Sequence, residues 1–195
     1  MHDLAIIGAG PVGATLALAL AGGGERDVVV LDARPAGETL RGDRSLALSH
    51  GSRLILERLG VWAALEAGEG AVTPIVEIDV SQARGFGVTR LAAAEHGLPA
   101  LGYVASYVAL QRALDAALVA AGVAVRFDTP ARAVRGAGGA ARVETEREPI
   151  DARLAAVADG AGTLVDGIAR ERHDYGQCAL VAPVWCEAPH RGVAY

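Results

Sequence analysis

The feature that most constrains this chain is the run Gly8-Ala9-Gly10-Pro11-Val12-Gly13, which stands where a buried strand would turn into a helix. Leu4 to Ile7 is a short continuous apolar stretch, the pattern of a strand covered on both faces. Ala14 to Ala21, rich in Ala and Leu, reads as a helix closed by Gly22-Gly23-Gly24. Asp27 to Leu31 is a second buried strand, and it ends at Asp32. Strand, glycine turn, helix and strand in that order call for a parallel sheet with a right-handed crossover.

The spacing G-x-G-x-x-G gives each glycine a task. Gly8 permits a tight turn, Gly10 lets backbone approach a pyrophosphate, and Gly13 lets helix and strand pack closely. The free N–H groups and dipole of the helix start then face the phosphates. A glycine-rich chain produces this spacing by chance. Here, however, the acid Asp32 stands at the end of the next strand, at the separation from Gly13 that the fingerprint calls for. That context predicts a dinucleotide site in which Asp32 accepts hydrogen bonds from ribose hydroxyls; the plainer alternative is a solvated strand-end carboxylate. Arg34 is expected either beside the adenine or phosphate or as an ordinary surface arginine. Asp159-Gly160 closes a further buried strand, Leu154 to Ala158, and taken alone is a turn.

Along the rest of the chain, Leu46 to Leu59 reads as an amphipathic helix and Pro74 to Leu91 as strand. Val108 to Ala121 reads as a helix with Leu110, Leu114 and Leu118 on one face. Val123 to Phe127 is a strand, and Ala131–Val134 with Ala141–Glu146 forms a meander. Gln177 to Trp185 is strand-like. A strand that stops with no successor leaves an unpaired edge, so the reading expects a truncated chain.

Composition excludes several chemistries. The 195 residues are 52% hydrophobic, enough for a sizeable core, and the net charge of −5 gives no footprint for nucleic acid. All 18 basic residues are arginine. With no lysine there is no Schiff-base chemistry, no phosphate-loop lysine and no Tyr-Lys dehydrogenase pair. Cys178 and Cys186 are expected to be reduced thiols, and no metal site is expected. With no basic leader or cleavage pattern at the start and a glycine-broken first apolar run, the expected compartment is the cytoplasm. His50, His96, His173 and His190 are scattered, and no catalytic residue is nominated.

The fingerprint, the segment Asp32-Ala33-Arg34, the segment Gly42-Asp43-Arg44-Ser45-Leu46-Ala47-Leu48 and Asp159-Gly160 together resemble the flavoprotein aromatic hydroxylases. Ser52 to Trp62, Pro74 to Leu91, Leu98 to Val104 and Asp174-Tyr175-Gly176-Gln177 narrow the resemblance to the hydroxylases of ubiquinone biosynthesis. Among these, the chain looks most like the branch acting on 2-polyprenyl-6-methoxyphenol. The resemblance implies an α/β fold: a Rossmann-like FAD-binding domain of three layers, parallel sheet plus β-meander, with the first strands of a mixed-sheet substrate domain. The expected division is 1–70 and 106–175 for the first, 71–105 and 176–195 for the second.

What the family does is carried over as expectation. FAD is the held dinucleotide and NAD(P)H its reductant; oxygen gives a flavin hydroperoxide that hydroxylates a prenylated phenol. Gly8, Gly10, Gly13 and Asp32 would hold the ADP half, Arg44 would lie near the phosphate–ribityl region, and Asp159 and Gly160 would match the second nucleotide motif. A guanidinium suits the Arg44 role, since it forks onto phosphate and stacks. The polyprenyl tail implies work at the inner-membrane periphery or in a biosynthetic complex. The chain departs from the family pattern at Tyr107, Gly162, Thr163 and Asp166, which bears on NAD(P)H docking. The alternative reading is a non-catalytic nucleotide-binding or assembly module derived from that family. An NAD-linked oxidoreductase is disfavoured by the long excursion after the second strand and by Asp159-Gly160.

Overall fold

A computed structural model describes residues 1–24, 26–38, 44–68, 72–160, 164, 165, 168, 173–182, 184 and 187–195. Gly42, Asp43, Gly162, Thr163, Asp166 and Cys186 lie outside the described residues. The chain divides into two compact units, Met1–Arg41 with Gln111–Tyr175, and Gly42–Leu110 with Gly176–Tyr195.

In the first unit, strand β1 (His2–Ile7) enters helix α1 (Pro11–Ala21), and β2 (Val28–Leu31) follows. Pro11 occupies the first helical position, where its missing N–H costs nothing. The unit continues through most of α4 (Tyr107–Ala120), then β8 (Ala124–Arg126), β9 (Ala131–Ala137), β10 (Ala140–Thr145) and β11 (Ile150–Val157). These strands form one six-stranded sheet in the order β8-β2-β1-β11-β10-β9. The strands β8, β2, β1 and β11 run parallel, while β9 and β10 turn back antiparallel as the meander.

Strand alternation then assigns two faces to the sheet. Ala5, Ile7, Val29 and Leu31 are buried in one core with Val134, Val143, Ile150 and Ala152, so the meander covers that face. Leu4, Ile6 and Val30 point to the other, where Ala14 and Ala17 of α1 are fully buried. Each such buried Val, Leu or Ile contributes about 1.5–3 kcal/mol. The expected three layers of an α/β nucleotide domain are therefore present.

The second unit holds β3 (Ser45–Ser49), α2 (His50–Arg58), α3 (Trp62–Ala67), β4 (Thr73–Ile75), β5 (Glu77–Ser81), β6 (Val88–Ala92), β7 (Gly102–Ser106) and β12 (Val193–Ala194). One sheet runs β3-β7-β4 and is antiparallel; the other, β12-β5-β6, is mixed. Trp62 and Tyr103 meet edge to face at 5.0 Å, and the Arg53 guanidinium lies over both rings.

Two expectations need correction. The helix expected from Leu46 begins instead at His50, because Leu46 and Leu48 alternate along β3 and Ser49 caps the helix by accepting the Ser52 N–H at 3.1 Å. Within the second unit, β3 pairs along the whole of β7. No strand is formed among the described residues of 177–185; Leu180 and Val181 are exposed and no neighbouring strand pairs with them.

Two cross-strand ion pairs set an acid response. Arg142 forks onto Asp151 at 2.7 and 2.8 Å between β10 and β11, and Arg90 onto Asp79 at 2.9 and 3.3 Å between β5 and β6. Hydrogen bonding to the arginine holds each carboxyl below the ordinary value of 3.8. A carboxyl whose folded pKa is depressed contributes stability above its unfolded value and loses it as pH falls through the folded one. Thermal melts of wild type and Asp151→Asn should therefore differ at pH 6, with wild type higher, and converge below pH 3.8. A difference that persists unchanged in acid would contradict this.

Candidate functional site

The glycine run is shaped by three different constraints. Gly8 ends β1 with φ +101°, and its N–H donates to the Leu31 carbonyl at 2.7 Å. A Cβ there would lie 2.6 Å from the Ala158 carbonyl oxygen. Gly13 is tighter, because its Cβ would lie 1.9 Å from the Gly8 carbonyl oxygen and 3.2 Å from Ile6 Cγ2. Gly10 is the opposite case: it caps α1 in an extended conformation, and a Cβ would meet nothing within 4 Å. The backbone is thus packed shut at Gly8 and Gly13 and open at Gly10. The amides of Val12 and Gly13 stand in the first turn, where helix geometry provides no acceptor. Such an opening suits an anion approaching the helix start.

Asp32 follows β2 and ties the loop down. Its Oδ2 accepts the Ala9 N–H at 2.6 Å and its Oδ1 accepts the Arg34 N–H at 2.7 Å. Each carboxylate oxygen retains a second acceptor direction for a ligand hydroxyl. Asp159 and Gly160, far along the chain, come beside Gly8: the Ala158 N–H donates to the Ile7 carbonyl at 2.8 Å, and Asp159 Cα is 3.1 Å from the Gly8 Cβ position. Gly160 has φ +82°, a left-handed conformation that favours glycine. The structure therefore gathers Gly8, Gly10, Gly13, Asp32, Asp159 and Gly160 at the carboxyl ends of β1, β2 and β11.

Arg34 stands beside them, engaged with the protein. Its two terminal nitrogens reach Asp115 of α4 at 3.1 Å each, and its guanidinium lies 5.4 Å from the centre of the Phe127 ring. Arg44 belongs to the second unit, where it precedes β3 and its carbonyl accepts the Tyr107 N–H at 2.9 Å. Its guanidinium stacks 4.6 Å from the Tyr107 ring centre.

Sequence reasoning missed Gln111 and Asp115. Gln111 is 1% exposed and donates from Nε2 to the Ala9 carbonyl and to Asp115 Oδ1, both at 2.8 Å. The available signal was a glutamine on the buried face of α4, between Leu110 and Leu114, with an acid one helical turn on. Among the described residues no cluster of three or more His, Cys, Asp or Glu is placed to hold a metal, and no helix is long and apolar enough to cross a membrane.

Comparison with known proteins gives consistent results. A family model described as an FAD binding domain matches residues 1–185. The 3-demethoxyubiquinol 3-hydroxylase of Escherichia coli (strain K12) is 33% identical over 193 residues, 95% of this chain and 49% of the relative. Ubiquinone hydroxylase UbiL of Rhodospirillum rubrum is 32% identical over 200 residues, 98% of this chain and 46% of that protein. The chain thus spans about half the length of the curated relatives it matches. Among solved structures, a 2-methyl-3-hydroxypyridine-5-carboxylic acid oxygenase mutant superposes with TM-score 0.64 at 23% identity, over 85% of this chain and 41% of that one. The p-nitrophenol 4-monooxygenase PnpA of Pseudomonas putida DLL-E4 gives 0.63 at 19%, over 83% and 41%. At such identities these two structures establish the fold alone.

Proposed function

Because the chain belongs to the FAD-binding domain family, we propose that it is the dinucleotide-holding part of a monooxygenase that hydroxylates a polyprenylated phenol in ubiquinone biosynthesis. The observation that carries the nucleotide half of this reading is the contrast within one loop: closed at Gly8 and Gly13, open at Gly10. FAD fits that cradle. Its pyrophosphate would take the space at Gly10 and the free amides of α1, and its adenosine ribose would donate to Asp32. Asp159 and Gly160 line the same corner. Arg34 serves as a buttress, held by Asp115 and Phe127, in place of a direct phosphate ligand.

In this cradle FAD would supply the redox and oxygen chemistry, with NAD(P)H as its reductant. The chain's own residues would bind it and orient its phosphates against the start of α1. The phenol half of the reading is supported by relatives named as a 3-demethoxyubiquinol 3-hydroxylase and a ubiquinone hydroxylase, at 33% and 32% identity. A polyprenylated substrate resides in lipid, so the protein works at the membrane periphery.

Two experiments test this. Asp32→Asn replaces an acceptor with an amide that sets N–H against N–H at Ala9 or Arg34, and calorimetric titration should show FAD affinity falling roughly 10- to 100-fold. Unchanged affinity would remove Asp32 from the site. Disrupting the gene in its own host should lead a prenylated phenol or quinol lacking one oxygen atom to accumulate in lipid extracts. A normal ubiquinone profile with no such intermediate would contradict the substrate class.

A further inference from the structure

A set of hydrogen-bonded contacts closes into a ring around the glycine loop. The Ala9 N–H donates to Asp32, whose other oxygen accepts the Arg34 N–H. The Arg34 side chain forks onto Asp115. Gln111 donates to Asp115 and, closing the ring, to the Ala9 carbonyl. Ala9 is therefore held at both of its polar groups, by the end of β2 on one side and by α4 on the other.

Gln111 is the member that sequence and burial make hardest to explain as packing. Its face of α4 is otherwise built of Leu110, Leu114 and Leu118, all at most 2% exposed. Both partners of its Nε2 are acceptors only, a carbonyl and a carboxylate, so the orientation of the amide is fixed. That leaves Oε1 buried with no donor among the described residues, a cost that a leucine would avoid. What the amide gains is control of one peptide plane. The Ala9 carbonyl and the Gly10 N–H belong to the same planar trans unit and point in opposite directions. Drawing the carbonyl to Gln111 aims the Gly10 N–H away from α4.

We propose that Gln111 is the positioning residue of the glycine loop, setting the Ala9–Gly10 peptide for a dinucleotide pyrophosphate and coupling it to the Asp115–Arg34 pair. The proposal rests on the FAD reading for its ligand, but the loop order it asserts is measurable without ligand.

The test uses the full chain, with Gln111→Leu and Gln111→Glu beside wild type. In Gln111→Leu without FAD, amide hydrogen exchange at Ala9 should accelerate about tenfold or more while the melting temperature holds or rises. With FAD present, its dissociation constant should rise about tenfold. In Gln111→Glu the ionised carboxyl faces the Ala9 carbonyl and Asp115, with Arg34 and Asp32 the other charged groups of the ring. FAD affinity of this variant should improve as pH falls and the protonated carboxyl regains a donor, a trend steeper than any in wild type. A purely packing role predicts a lower melting temperature, uniform exchange and parallel pH profiles, and that set of results would overturn the proposal. So would Ala9 exchange within twofold of wild type in Gln111→Leu. Should wild type bind no FAD, the FAD reading fails on its own account, and the ligand-free exchange measurement still decides the role of Gln111.

Discussion

Gly13→Ala is expected to be the most damaging single-methyl change in the first unit, costing about 3 kcal/mol or more. The added Cβ would sit 1.9 Å from the Gly8 carbonyl oxygen, and that atom is backbone, so no rotamer change relieves it. Relief requires lifting α1 from β1, and with it Ala14 and Ala17, which have no exposed surface. Domains of this size are stable by only about 5–15 kcal/mol. The check is a denaturant titration of wild type and Gly13→Ala. A loss below about 1 kcal/mol would mean that the helix is not seated on the strand as described.

Gly10→Val should produce the reverse pattern, a near-normal fold with its ligand site filled. Gly10 has φ −64° and ψ −179°, ordinary extended values, and its Cβ position is empty to 4 Å. Losing glycine at this cap costs within about 1 kcal/mol. The valine side chain, however, projects into the space that the pyrophosphate would take. FAD affinity should fall on the order of 100-fold or more, since the phosphates are pushed off the helix amides. Paired melts and titrations separate the two glycines: the fold is expected to depend on Gly13 and FAD binding on Gly10. A Gly10→Val protein that binds FAD as wild type does would place the pyrophosphate elsewhere.

How legible this was in the sequence depended on how local the determinants are. The strand, turn, helix and strand from His2 to Leu31 were readable because period, cap and glycine spacing all lie within one short stretch of chain. The helix expected from Leu46 was misread because Leu46 and Leu48 fit a helical face as well as a strand, and only the pairing with β7 decides between them. The adjacency of Asp159 to Gly8 follows from the parallel register of β1 with β11, a contact between distant parts of the chain that no local pattern carries. Arg34 offered two readings on sequence, and its partner Asp115 stands on a helix that follows the whole second-unit excursion, so no local pattern could supply the contact. Gln111 is a lone polar side chain on a leucine face of α4, and one of its two acceptors, the Ala9 carbonyl, lies far away along the chain.

The most direct test of the central claim is a titration of the purified, ligand-stripped chain with FAD, followed by desalting and an absorbance spectrum. A retained flavin spectrum at one FAD per chain is expected, lost in Gly10→Val although that variant melts cooperatively. A wild-type chain that is folded and cooperative, yet emerges colourless from desalting at every FAD concentration, would contradict it.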